Sequence, residues 1–436
     1  MQLVEQHVIQ KTDSRYAAID AAAFASKNLY NAALYEIRQA FIFNQTYLNY
    51  SQMDKRMQSH EAYQALPSKV AQQVLRLLEK NWKSFFEARR EWKEHPEKFK
   101  ARPRLPGYLD KTAGRNVLIY TMQAVSRSKR TLGRRIIQPS GLSIQVKTLQ
   151  DPEAIAQVRV VPQAGFYVVE VVYQPALKGS GVDADLIAGI DVGMNNLAAL
   201  TSNKPGFVPI LVNGRGIKST NQYYNKRRAQ LQKSLGHQGL TKRMQSLTNQ
   251  RNRRIDHDLH HASRFLIDIL VADGIGTLVI GKNDGWKQDA NLGTRTNQNF
   301  VQIPHARFIQ MLTYKAERVG IRVILTEESY TSQASFLDRD PLPTYKKGDT
   351  TVYQFSGKRI KRGLYRASDG RLINADLNGS GNIVRKVAPD AFGLEGVEDG
   401  KSRFHLPVVH PVRIVIPRTK PKTKTCSALV SGFARV

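Results

Sequence analysis

The sequence predicts a multidomain α/β protein, and three observations carry that reading. The chain has 436 residues, more than one ordinary hydrophobic core accommodates. Its hydrophobic content of 41% is that of a folded chain. Its patterning changes along the length: helical spacing before residue 100, β-rich runs from about Asn116 to Gln174, and strand–helix–strand order beyond about residue 187. That last order implies a parallel or mixed sheet.

Taken in order, residues 2–10 alternate as a strand, with Leu3, Val8 and Ile9 apolar. Leu29, Tyr30, Ala33, Leu34, Ile37 and Phe41 then fall on one helical face. A second helix starts after Leu66-Pro67-Ser68 and carries Val70, Val74, Leu77, Leu78, Trp82, Phe85 and Phe86. Pro96 and RPRLPGY end it, because proline lacks a backbone donor and restricts the residue before it. The segments NVLIYTMQAV, GLSIQVKTL, AQVRVV and FYVVEVVYQ read as strands, and KGSGVDADL at 178–186 reads as a linker. Strands follow at about 187–201 and 208–212, then a polar helical stretch at 221–270 and a strand at 276–281. A helix from Pro304 to about Val319 leads into a strand at 321–328. Residues 394–436 read as a basic tail with no acid after Asp399.

The formal charge of +30 points to a polyanionic partner, since neutralising phosphates releases counterions. No run of about eighteen apolar residues is available to span a bilayer. MQLVEQHVIQ lacks the basic-then-apolar pattern of a signal peptide. The single cysteine, Cys426, allows neither an intrachain disulfide nor a cysteine-based zinc site, which fits a reducing, cytoplasmic and nucleoid-associated setting. Residues 218–255 hold ten cations and no acid: Lys218, Lys226, Arg227, Arg228, Lys233, Lys242, Arg243, Arg251, Arg253 and Arg254. Such a run on a helical pair repels itself unless an anion lies alongside. Arg102 and Arg104 close a second basic cluster, and Arg134 and Arg135 a third. His257, His260 and His261 have helical spacing and read as surface rather than metal ligands.

Two acid-bearing motifs carry chemistry. GIDVGMNNLAALT at 189–201 places Asp191 at a strand edge beside the Gly193 turn; NADLNGSGNI places Asp376 some two hundred residues later. Alone, each has a plain reading: Asp191 as a cap or salt-bridge partner, Asp376 or Asn378 as a helix N-cap. Together, at strand ends of an α/β half, they suit a hard cation that takes oxygen ligands.

These two motifs, with LTYKAERVG at 312–320 and YTSQAS at 330–335, resemble TnpB proteins, the transposon-encoded RNA-guided nucleases related to type V CRISPR effectors. The resemblance implies a RuvC nuclease domain of RNase H-like fold over 187–393, with a basic helical insertion at 218–272 and a zinc-less hairpin at 336–373. It also implies a wedge β-barrel over 1–12 and 100–177, with a helical recognition domain at 13–99 inserted in it. Asp191 and Asp376 match the first and third catalytic acids, with Mg2+ or Mn2+ and a guide RNA as cofactors and target DNA as substrate. Two departures stand out. Gly281 occupies the place of the family's middle glutamate, with Asp284 nearby in a loop; Glu327-Glu328, at the end of the adjacent strand, offers a displaced acid, with Glu328 preferred. The zinc-ribbon cysteines are missing, and FSGKRIKRGLYRASDGRLINAD reads as a basic hairpin turning at SDG, with Phe336, Leu337, Tyr345, Tyr353 and Phe355 packing in place of zinc. The expected function is RNA-guided DNA cleavage by Asp191, Glu328 or Glu327, and Asp376. The rival is an RNA-guided DNA-binding protein that has lost cleavage.

Overall fold

A computed structural model of the chain describes residues 2–176, 179, 181–236, 239–283, 298, 300–345, 351–393 and 411–416. It divides into two units, Met1–Pro175 and Ala176–Val436.

The first unit opens with β1 (Leu3–Gln10), followed by α1 (Tyr16–Asn44), α2 (Tyr50–Met57), α3 (Glu61–Gln64) and α4 (Ser68–Glu94). Strands β2 (Leu118–Thr121), β3 (Ile136–Ile137), β4 (Val146–Lys147), β5 (Ile155–Gln163) and β6 (Phe166–Tyr173) complete it. Four strands form an antiparallel sheet in the order β1-β6-β5-β2, so the first strand pairs with the last. Gly165 turns the β5–β6 hairpin at φ +91°, a conformation open to glycine. Helices and sheet share one core, from Ile9, Leu34 and Leu78 to Val160 and Val169. Trp82, fully buried, packs edge-on against Phe41 at 5.2 Å. Among the described residues the strands of this unit form an open sheet and a separate β3–β4 pair; the expected closed barrel is not seen.

The second unit contains β7 (Asp183–Asp191), β8 (Asn196–Ser202), β9 (Ile210–Asn213), α5 (Arg215–Lys233), α6 (Lys242–Ala272) and β10 (Ile275–Gly281). It continues with α7 (His305–Arg318), β11 (Arg322–Thr326), β12 (Lys358–Lys361), β13 (Leu364–Arg366), β14 (Leu372–Asn374), α8 (Ala375–Val387) and β15 (Val412–Ile414). Its main sheet runs β11-β10-β7-β8-β9-β15. Strands β7, β10 and β11 are parallel, and β8 is antiparallel to both of its neighbours. Alternation along the strands sorts the two faces. Ala188, Ile190, Ala198 and Leu200 meet the α6 and α7 side of the core, whereas Ile187, Ala199 and Leu211 meet α8.

Four expectations change. The segment read as a linker contains the start of β7, because the Asp183 N–H donates to the Gly274 carbonyl and Asp183 pairs with Ile275. The segment read as a tail contributes β15, which pairs in parallel with β9 and closes the edge of the sheet; the PRTKPKTKT run lies outside the described residues. The strand carrying the glutamate pair stops at Thr326, so Glu327 and Glu328 sit just beyond it. The SDG hairpin gains a third strand, β12, through a second turn at Gly363.

Candidate functional site

Three segments converge at the carboxyl ends of the central parallel strands. Asp191 is the last residue of β7, and strand alternation puts it on the α8 face with Ile187 and Gly189. The turn after it is tight: a Cβ on Gly193 would lie 2.8 Å from the Asn196 carbonyl. The buried His305, first residue of α7, meets the Gly193 carbonyl through Nε2 at 3.1 Å and so ties that helix to the turn.

Asp376 stands in the first turn of α8 rather than at a strand end. The N-cap is Asn374, whose side chain accepts from the Asp376 and Leu377 N–H groups at 3.0 and 3.3 Å. One turn on, NGSG brings the helix against the sheet. A Cβ on Gly379 would lie 2.8 Å from Asp191 Oδ2, and one on Gly189 would lie 2.4 Å from the Ser380 carbonyl. The Ser380 hydroxyl donates to the Gly189 carbonyl at 2.7 Å. Larger residues at these glycines would force Asp191 and α8 apart.

The glutamates part company. Glu328 Oε2 lies 2.8 Å from where a Gly281 Cβ would be, so its carboxylate fills the space above the end of β10. Asn283 holds it: its Oδ1 accepts from the Glu328 N–H at 2.9 Å and its Nδ2 donates to Oε1 at 3.4 Å. Glu327 instead accepts from the Lys386 ammonium, which is 4% exposed, and from the Ser329 N–H at 2.7 Å. Asp284 lies outside the described residues.

The electrostatics join the acids. Asp191 keeps some contact with water, yet burial pushes its carboxyl well above the usual range, and the Asp376 and Glu328 charges push further; Arg359 opposes them. Burial alone lifts Glu328 to about 7. Asp376 accepts from Asn196 Nδ2 at 2.7 Å and lies 3.8 Å from Arg359. Three repelling carboxylates suit a divalent cation in donor chemistry, all oxygen and mostly without a cationic partner. As the side chains stand, no group of three or more His, Cys, Asp or Glu is gathered to ligating reach among the described residues. The Asp376 carboxylate is turned to Asn196 and Arg359 instead. The two observations concern different things, and the donor set fits because the mutual repulsion is present without further movement.

No zinc-like cluster supports the YTSQAS loop. Asn378 Nδ2 and Asn382 Nδ2 both donate to the Ala334 carbonyl at 2.8 Å, and the Phe336 N–H donates to Asn378 Oδ1 at 2.9 Å. Asp340 accepts from the Ser335 N–H at 2.7 Å. Of the aromatics expected to replace zinc, Phe336 packs on Phe392 at 4.9 Å, and Tyr353 and Phe355 on Tyr330. Tyr345 is 60% exposed and packs little, so a polar network does most of this work.

The basic residues fall into two kinds. Lys226, Arg228, Lys233, Lys242, Arg243, Arg253 and Arg254 are exposed on α5 and α6, and Arg227 is half-buried, donating to Gln230 at 2.9 Å. Arg251 turns inward: it donates to Asn221 Oδ1 and to the Gln302 carbonyl, both at 2.8 Å, and lies over the Tyr224 ring. In the first unit, Arg102, Arg104 and Arg134 are exposed, with Arg102 over Trp92 at 5.7 Å, while Arg135 pairs with Asp151. The sequence reading missed Asn196, Asn283 and Arg359, although Asn196 lies inside the GIDVGMNN motif.

Comparison with known proteins adds the lineage. Residues 172–287 match a family described as a probable transposase, OrfB of IS605, and residues 305–383 match the Cas12f1-like TNB domain. A CRISPR-associated endodeoxyribonuclease Cas12f1 from Sulfoacidibacillus thermotolerans is 29% identical over 126 residues, 29% of this chain and 25% of that one. The chain thus matches about a quarter of the length of that relative. Among solved structures, a Cas12f1–sgRNA–target DNA complex is 14% identical, covering 87% of this chain and 98% of that chain at a TM-score of 0.34. The mini-RNA-guided endonuclease CRISPR-Cas_phi3 is 8% identical, covering 91% and 93% at a TM-score of 0.49.

Proposed function

From a chain that is a TnpB-like family member, related to transposases and to Cas12f1 endonucleases, we propose an RNA-guided DNA endonuclease that hydrolyses phosphodiesters beside a short adjacent motif. The observation that carries this reading is the place of Glu328. Its carboxylate stands where a side chain from position 281 would begin, so the middle acid is supplied by the neighbouring strand end. In this reading residues 187–393 are a RuvC nuclease domain of RNase H-like fold. Residues 1–12 and 100–177 with the helices of 13–99 are the wedge and recognition modules.

Asp191, Glu328 and Asp376 would hold Mg2+ or Mn2+. A divalent cation bound there supplies charge neutralisation and an activated water. The chain's own residues do the rest. Asn283 keeps Glu328 over β10, Asn196 orients Asp376, and Gly379 leaves room for Asp191 to face both. Lys226, Arg228, Arg243 and Arg254 meet guide-RNA or heteroduplex phosphates, positioning rather than reading sequence. Glu327 neutralises the buried Lys386 and is not a ligand.

Purified protein with its co-purified RNA should cut matching DNA in magnesium. Asp191→Ala and Glu328→Gln should each lower cutting at least about a hundredfold, an effect of the size expected when a charge-stabilising group is lost. Glu327→Gln should retain cutting. Unchanged cutting in Glu328→Gln would remove the displaced acid from the site. The second reading, an RNA-guided DNA-binding protein without cleavage, is favoured by Gly281; guide-dependent binding without cutting in the unaltered protein would establish it.

A further inference from the structure

Beside Asp376, on the side away from Glu328 and Gly281, lies a cavity of about 670 Å³. Four arginines from three separated parts of the chain line it: Arg215 at the start of α5, Arg359 and Arg362 around the β12–β13 turn, and Arg413 on β15. Asp376 is the one carboxylate among its lining residues. Each arginine extends a long, hydrated cation toward the same space, and four such groups repel one another unless an anion joins them.

Their neighbours are amides. Arg413 Nη1 donates to Asn196 Oδ1 at 2.8 Å, and Asn196 Nδ2 in turn donates to Asp376 Oδ2 at 2.7 Å. The Asn195 amide oxygen, in the orientation that satisfies both groups, accepts from Arg362 Nε at 3.1 Å. An amide holds a guanidinium in place while leaving its charge uncancelled. The planar guanidinium fork matches phosphate oxygens in pairs. Met194 and Gly363 add an apolar wall against which a sugar can lie.

We propose that this pocket is a phosphate subsite for the single DNA strand being cut, holding a phosphodiester next to the one that faces the acids. Arg413 has a second part in it: as a positioning residue, it steadies Asn196 and through it Asp376. The strand β15 therefore belongs to the site, although it follows the last acid by more than thirty residues in sequence. The assignment to a cut strand rests on the endonuclease reading; the binding chemistry does not.

The test separates the two. The full chain carrying Asp191→Ala is mixed, in EDTA, with a photoreactive single-stranded DNA twelve-mer or its RNA counterpart, and cross-linked peptides are mapped. DNA cross-links are expected at 193–196, 359–363 or 411–413. They should fall at least fivefold in Arg359→Gln/Arg362→Gln, whose exposed hairpin positions leave the unfolding midpoint unchanged. The salt slope of binding should drop by about 1.4 for the two lost contacts. Arg413→Gln should lower the same cross-links, and Arg413→Lys should restore part of them. Cross-links that persist undiminished in the double variant, that map wholly elsewhere, or that form more strongly with RNA overturn the proposal. If the unaltered protein never cuts but these cross-links behave as expected, the endonuclease reading fails and the pocket stands.

Discussion

Gly281 and Glu328 show how one residue decides what its neighbour can be. An added Cβ at 281 would lie 2.6 Å from Ile383 Cδ1 and 2.8 Å from Glu328 Oε2, so the position is closed to any side chain while Glu328 is there. Gly281→Ala should therefore cost roughly 1–3 kcal/mol, the usual range for overpacking, read as a shift in the urea midpoint. Ile383→Val removes one of the two clashing groups and should recover part of that loss. The coupling between the two changes, measured as a double-mutant cycle, is the decisive quantity; strict additivity would mean the clash is not there. Asp191 and Asp376 were legible in the sequence as motif residues, and Glu328 as one of two. What separated Glu328 from Glu327 was invisible there, because it depends on where β11 ends and on a lysine nearly sixty residues away.

At the scale of elements, α6 and α7 are joined by a lysine in an unusual state. Lys315 Nζ donates to the His260 carbonyl at 2.8 Å and to Ser263 Oγ at 2.7 Å. Burial, with Arg264 close by, pulls its pKa from the ordinary 10.5 down to about 8. Between those values the unfolded chain holds a proton that the folded chain has released, so stability rises with pH across that window. Lys315→Met should abolish this contribution: from pH 8 to 10 the unaltered protein should gain thermal stability relative to the variant. Parallel melting curves for the two would disprove it. The same helix pair shows why a charge run is an incomplete guide. Arg251 has the sequence setting of its neighbours, yet it is turned into the α5–α6 contact by Asn221 and Gln302.

Across the whole molecule, charge and layout answer different questions. The +30 balance predicts that RNA binding weakens steeply with salt. Replacing the exposed Lys226, Arg228 and Arg254 with glutamine should reduce the magnitude of the log–log salt slope by about 2 for a single strand. An unchanged slope in a filter-binding series would move the RNA off α5 and α6. No helix among the described residues is long and apolar enough to cross a membrane. The layout is that of two units, and in the second the central strands bring acids from distant segments to one end of a sheet.

By itself the sequence determined the element types and their order, the two acid motifs and the polyanionic character of the partner, since these follow from local periodicity and composition. It also placed Gly281 as the gap in the acid set. Only the tertiary structure decided that Glu328 fills that gap, that Glu327 serves Lys386, and that a strand from the supposed tail brings Arg413 to Asn196. The reason is physical: periodicity records which face of an element is buried, whereas a site depends on which distant elements share that face, and pairing across a sheet leaves no local trace in either strand.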